Sequence, residues 1–300
     1  MNETEAAKQA YDVIIHMDEP RYWYFMIGSI LIGYTVVQAF QKLTGARKER
    51  ALRNLGVFMV LVCLVPPLYG LLSPDLTLNI HRNIPLHFCG INGWLVALNC
   101  FWKNQKVFTF SAFLGTIGGV HALLTPQLTI GDAPMILTHY YANHTAIVVI
   151  PIIMARVYGF RFPKWGWIWT YGVAAVLSTS VGVFNWYLNT FHPADITANY
   201  MYMWEAPKAD NPFVRNLAWP WYILPLHAAL LLHLVVINFF YRWAMPLDAL
   251  AENHGRCAAS PDIRRGSQFF STRFPRAREM QGVGNTFVAC VHTLIYLTIC

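Results

Sequence analysis

The chain of 300 residues is 56% hydrophobic and 15% aromatic, and only 12% of it is charged, against about 25% Asp, Glu, Lys and Arg in a soluble globular domain. That deficit excludes an ordinary soluble fold. The wealth of aromatics excludes a disordered chain, which has too little apolar surface to bury. The formal net charge of +7 would point to nucleic acid in a soluble protein, so its placement along the chain decides its meaning.

Residues 1–21 are polar and acidic and lack the basic segment that opens a cleaved signal peptide, so the first helix is expected to insert uncleaved. Seven charge-free apolar stretches follow, each of about 18 residues or more, the length that crosses a bilayer as a helix. They are Tyr22–Phe40, Leu55–Leu72, Ile84–Trp102, Val107–Leu124, Thr138–Ala155, Gly166–Leu188 and Trp219–Tyr241. The expected fold is therefore all-α: a polytopic membrane bundle of seven transmembrane helices over residues 22–243, with the segment 1–21 ahead of it and an Arg-rich tail, 244–300, behind. The tail from Ala244 to Asn285 has scattered Gly, Pro and Ser and no sustained periodicity, the pattern of loose order. Thr286 to Cys300 is apolar but shorter than a usual span and reads as an interfacial or packed segment.

Lys and Arg accumulate on the cytoplasmic side of short loops. Seventeen of the 22 lie after helices one, three and five or in the tail: Lys42, Arg47, Lys48, Arg50 and Arg53; Lys103 and Lys106; Arg156, Arg161 and Lys164; then seven arginines from Arg242 to Arg278. Lys8, Arg21, Arg82, Lys208 and Arg215 fall on the other side. The N-terminus is thus expected outside or in a lumen and the C-terminus in the cytoplasm. The basic charge becomes a topology signal and a contact for anionic lipid, with no nucleic-acid partner.

Polar side chains inside hydrocarbon are costly unless they have a partner or a task. At about 1.5 Å per residue, His87, Cys89 and Asn92 lie within the first ~12 Å of helix three from its outer end. His139, Asn143 and His144 lie at similar depth on helix five, His121 at the outer end of helix four, Asn185 and Asn189 at that of helix six, and His227 in the outer half of helix seven. Any one of these could simply cap a helix or bond across the bundle. Five helices feeding one layer is the pattern of a cavity opening toward the outer leaflet or lumen. Imidazoles beside a thiol, with no carboxylate inside any stretch, favour nucleophile and base chemistry over ion transport.

The six cysteines make no disulfide framework: Cys63 and Cys100 sit inside helices, Cys257, Cys290 and Cys300 belong to the tail, and Cys89 alone lies near the outer surface. At 100° per residue Cys89 shares a face with Asn92, Gly93, Val96 and Cys100, while His87 points about 200° away unless Pro85 leaves the start of the helix unwound. A base for Cys89 therefore has to come from another helix. Helix five offers His139 with Asn143 on one face and His144 about 140° round, and the wheel does not choose between them. Ile84-Pro85-Leu86-His87 also echoes Leu224-Pro225-Leu226-His227, as an old parallel repeat would.

Leu86-His87-Phe88-Cys89 opening a helix, His144 seven residues before Pro151, Asn199-Tyr200-Met201 leading to Pro207, and Pro220-Trp221-Tyr222 ahead of His227 together resemble the transmembrane protein 164 family, which also includes bacterial YwaF-like membrane proteins. The likeness runs from about residue 50 to 243. The resemblance implies a membrane acyltransferase that places polyunsaturated acyl chains on ether lysophospholipids, with a catalytic Cys and His that fall on Cys89 and His144. It implies phospholipid and lysophospholipid substrates drawn from the bilayer, residence in the endoplasmic reticulum, and no cofactor or metal. His87, Asn92, His121, His139, Asn143, Asn199, Tyr200 and His227 are the expected supporting or substrate-binding residues, Asn92 as an oxyanion donor and Asn143 or His139 as orienters of the base. Glu205 and Asp195 are loop carboxylates able to meet a choline or ethanolamine head. Two rivals remain: a zinc-dependent or Cys/His lipid hydrolase, with a metal held by some of the same histidines, and a non-enzymatic heptahelical receptor or lipid transporter.

Overall fold

The computed structural model describes residues 13–72, 79–207 and 217–244, with side chains as far as Phe240. The tail, its three cysteines and the apolar terminal segment lie outside the described residues. The described residues form seven helices: α1 (Pro20–Lys42), α2 (Gly45–Leu72), α3 (Phe88–Trp102), α4 (Gln105–Leu124), α5 (Pro134–Tyr158), α6 (Gly166–Phe191) and α7 (Ile223–Ala244). Two short strands, β1 (Val13–Ile14) and β2 (Gln127–Leu128), pair antiparallel across the end of the bundle where α1 begins, with Val13 opposite Leu128.

Local chemistry sets the helix ends. Pro20 and Pro134 stand in the first turns of α1 and α5, where no N–H partner is needed. The Asn104 side chain accepts from the N–H groups of Lys106 and Val107 and so caps α4, directly after α3 has ended on Lys103 in the left-handed region. Gly159 closes α5 at φ +78°. At the α1 end, the Glu19 carboxylate accepts from the His16 N–H and pairs with Arg21, which also reaches Asp132 at 2.6 Å. The His16 N–H first, and Arg21 after it, hold the Glu19 carboxyl below its ordinary pKa.

Six of the helices are long and apolar enough to cross a membrane. The third is the exception: 19 residues from Ile84 were expected to be helical, and α3 has 15, about 22 Å. Pro85 is the cause, because it holds its own φ, lacks an N–H and pushes Ile84 out of the helical region. Ile84 to His87 therefore stay outside the helix: the Leu86 N–H donates back to the Ile84 carbonyl at 2.8 Å, and His87 stands at ψ 149° ahead of the first turn. The similar run Leu224–His227 lies inside α7, so the two segments do not repeat in conformation.

The most buried helices are α4 and α5, which pack along a glycine seam. Ideal Cβ atoms at Gly115 and Gly119 of α4 would stand 2.6 Å from the Ile147 carbonyl oxygen and 3.0 Å from the His144 carbonyl oxygen of α5. This is backbone-to-backbone contact of the small-xxx-small kind that substitutes for hydrophobic drive within a bilayer. Around the seam, α1 packs on α5, α2 on α3, and α6 and α7 flank α4. Outward faces are large and apolar, as at Leu31 and Ile32 of α1, Val176 and Val183 of α6 and Leu232 and Phe239 of α7. Such faces belong against lipid. At the end opposite the strands, Lys103 pairs with Glu49, and Lys48 and Lys103 lie 5.0 and 5.5 Å from the Tyr158 ring centre.

Candidate functional site

The unwound start of α3 leaves backbone groups without helical partners at membrane depth, a state tolerated where protein covers them or a cavity lies beside them. Both conditions are met. A 3-10 turn, Tyr200–Tyr202, folds back over the segment, and the Tyr200 hydroxyl donates to the Ile80 carbonyl at 2.7 Å and accepts from the Ile84 N–H at 3.1 Å. Asn185 of α6 fixes that turn by exchanging two hydrogen bonds with the Tyr200 backbone. Beneath the cover lies a cavity of about 460 Å³, walled by α2 to α5, α7 and the loops at the strand end.

Cys89, in the first turn of α3, reaches this cavity with a free, half-buried thiol. Its sulfur rests on Gly118, where a Cβ would come within 3.0 Å. Gly118 and Gly119 are neighbours on α4 with contacts 100° apart, one against the Cys89 sulfur and the other against the His144 backbone. The glycine step thus brings α3 and α5 together at these two residues. A third tie is the Asn143 amide, which donates to the Cys89 carbonyl at 3.4 Å while its oxygen fills the space above Gly93.

His144 is buried on the cavity wall. Its Nδ1–H donates to the Tyr140 carbonyl one turn back, at 2.6 Å, which fixes the neutral tautomer and leaves Nε2 as the basic atom. His233 of α7 repeats the device with the Ala229 carbonyl at 2.6 Å. Its Nε2 then accepts from the Nε2–H of His121, 3.2 Å away. His139 donates from Nδ1 to the Val62 carbonyl of α2 at 2.9 Å. His87 stands between the Tyr200 and Tyr202 rings, with centroids 5.7 and 5.4 Å away.

Of the ten residues expected at the site, His87, Cys89, His121, His139, Asn143 and His144 line the large cavity. Asn92 does not: it is fully buried within the bundle, and its amide donates to the Phe88 carbonyl of its own helix. Asn199 and Tyr200 line a smaller recess beside the cavity. Asn199 organises the loop, accepting from the N–H groups of Trp204 and Glu205 and donating to the Glu205 carbonyl. His227 lies elsewhere, edge-on to Tyr171 of α6. The histidine that α7 does supply is His233, legible as the last of the stripe Leu226, Ala229, Leu230, His233, all of which face the cavity. Among the described residues no three His, Cys, Asp or Glu side chains converge as a metal site.

These features define a multi-pass α-helical membrane protein with a thiol and imidazoles gathered in a cavity at one end of the bundle. The chain belongs to the TMEM164 family, whose profile matches residues 16–238, a span containing every residue of the cavity. No curated protein and no solved structure matches it.

Proposed function

We propose that the protein is a membrane-embedded acyltransferase that moves an acyl chain, by family resemblance a polyunsaturated one, from a phospholipid to a lysophospholipid, an ether lysophospholipid being the expected acceptor. The observation that carries the reading is that Cys89 and a tautomer-fixed His144 border one cavity large enough for part of a lipid. His144 Nε2 takes the thiol proton, and the Cys89 sulfur attacks the ester carbonyl of the donor. The carbon–oxygen bond breaks, a lysophospholipid leaves with the proton returned by His144, and a thioester remains on Cys89. His144 then takes the proton of the acceptor hydroxyl as that oxygen displaces the sulfur. No cofactor is needed. The charge distribution of the loops supports a site on the non-cytoplasmic side, which in the endoplasmic reticulum that the family resemblance implies is the lumen, where a phospholipid donor is at hand and cytosolic acyl-CoA is not.

The test is lipid mass spectrometry on purified wild-type, Cys89→Ala and His144→Ala protein given a polyunsaturated phospholipid and an ether lysophospholipid without acyl-CoA. Transfer by wild type, lost in both variants while their folds are intact, is the expected outcome. Release of free fatty acid would assign a hydrolase to the same pair, and no turnover, even when acyl-CoA is then supplied, would overturn the reading.

A further inference from the structure

Beside the large cavity is a recess of about 120 Å³ with a different character. It is far smaller than the ~300–1,000 Å³ of a drug-sized pocket, so it takes one small polar group. The two spaces share Arg82, His87, Gln127, Thr129 and Tyr202 in their walls, which makes the recess a side chamber of the cavity.

Opposite charges meet there. Arg82 and Glu205 both line the recess, and each is carried on a turn built by asparagine. The Asn79 carbonyl accepts from the Arg82 N–H at 3.0 Å, and Asn199 grips the Glu205 backbone from both sides. His81 adds a second observation. It also lines the recess and is only 5% exposed, its Nδ1–H donates to the Asn79 side chain at 3.0 Å, and its Nε2 has no hydrogen-bond partner among the described residues. A buried ring nitrogen left unmatched in a polar recess is a place for a ligand atom. A guanidinium, an imidazole and a carboxylate bordering one recess match an anion joined by a short arm to a cation.

Resting on the reading of the larger cavity as a lipid site, we propose that this recess holds the headgroup of a zwitterionic lysophospholipid: the phosphate on Arg82 and His81, the ammonium on Glu205, the glycerol and chain passing into the cavity toward Cys89. A guanidinium binds phosphate oxygens as a planar fork of charge-assisted hydrogen bonds, and the Tyr202 and His87 rings offer faces to a quaternary or primary ammonium. The arrangement selects phosphoethanolamine or phosphocholine heads over purely anionic ones, which Glu205 repels.

The experiment measures binding to the purified full chain in detergent by native mass spectrometry. The probes are lysophosphatidylethanolamine, lysophosphatidylcholine, lysophosphatidylglycerol, lysophosphatidic acid, monoacylglycerol and chain-free glycerophosphoethanolamine. Arg82→Gln is expected to weaken every phosphate-bearing lipid about tenfold or more and to leave monoacylglycerol unchanged. Glu205→Gln is expected to weaken the two zwitterionic lipids alone and to leave or improve the anionic ones, a change of selectivity that misfolding does not produce. Equal losses for monoacylglycerol in both variants, or no change of selectivity in Glu205→Gln, would overturn the proposal. Binding of glycerophosphoethanolamine as tight as that of its lysolipid would overturn the lipid assignment in favour of a soluble phosphodiester. The expected pattern in a protein that transfers no acyl chain would sink the enzyme reading and leave the headgroup site standing.

Discussion

Replacing Gly115 with alanine tests the seam on which the cavity is built. The new Cβ would stand 2.6 Å from the Ile147 carbonyl oxygen, against the 3.4 Å at which ordinary contact begins, so α4 and α5 have to part by roughly 0.8 Å. The obstacle is helix backbone and cannot rotate aside. Overpacking of this kind costs ~1–3 kcal/mol, whereas Gly28→Ala in α1 and Gly172→Ala in α6 meet nothing within 4 Å and are expected to be neutral or to gain up to ~1 kcal/mol of helix propensity. Parting the helices also shifts Gly118 against the Cys89 sulfur, so the proposed acyl transfer should fall together with stability. Unfolding titrations in mixed micelles, followed by tryptophan fluorescence, compare the three variants in one background. If Gly115→Ala proved as stable as Gly28→Ala, the backbone contact between α4 and α5 would not hold the bundle, and the account of how α3 and α5 are brought together would fail.

Tyr200→Phe removes one hydroxyl that serves both the Ile80 carbonyl and the Ile84 N–H. A loss of ~1–3 kcal/mol is expected in the same titration, and unchanged stability would mean that the 3-10 turn does not hold the start of α3. On α7 the two histidines should part company: His227→Ala, which gives up a ring contact with Tyr171, should leave acyl transfer within about twofold, while His233→Ala, which breaks the pair with His121 on the cavity wall, should lower it severalfold. The reverse order of effects in the lipid assay would show that the cavity does not extend to α7.

How much of this was readable beforehand depended on the period of each signal. Hydrophobic runs gave the seven helices because burial in lipid requires apolar length and little else. Depth gave the layer of polar residues, and six of the ten candidates do face one cavity. Depth alone could not place His227, because two residues at similar height on a helix point apart by 100° per step. The Leu226, Ala229, Leu230, His233 stripe held the missing angular information. Asn199 and Tyr200 were expected as supporting or substrate-binding residues; their polar atoms support the loop and the α3 approach, with partners Asn185, Ile80 and Ile84 that the sequence does not reveal. The Gly115, Gly118 and Gly119 cluster was open to reading, but which neighbouring helix each glycine admits is a property of the packed bundle.

Pro85 links these features physically. A helix wound from Ile84 would satisfy its own backbone and fill the space now occupied by the cavity mouth. By breaking the helix, Pro85 leaves the Ile84 N–H to be met by Tyr200, shortens α3 to 15 residues, and puts Cys89 in the first turn, where backbone N–H groups without helical partners and the positive end of the helix dipole lie closest to the thiol. A thiol in mid-helix would face apolar neighbours on every side, as Cys100 does, with its sulfur bonded to the Val96 carbonyl of the preceding turn. The same chain thus carries an inert cysteine and an accessible one 11 residues apart on one helix face. What separates them is the unwinding at Pro85 and the glycine beneath the sulfur.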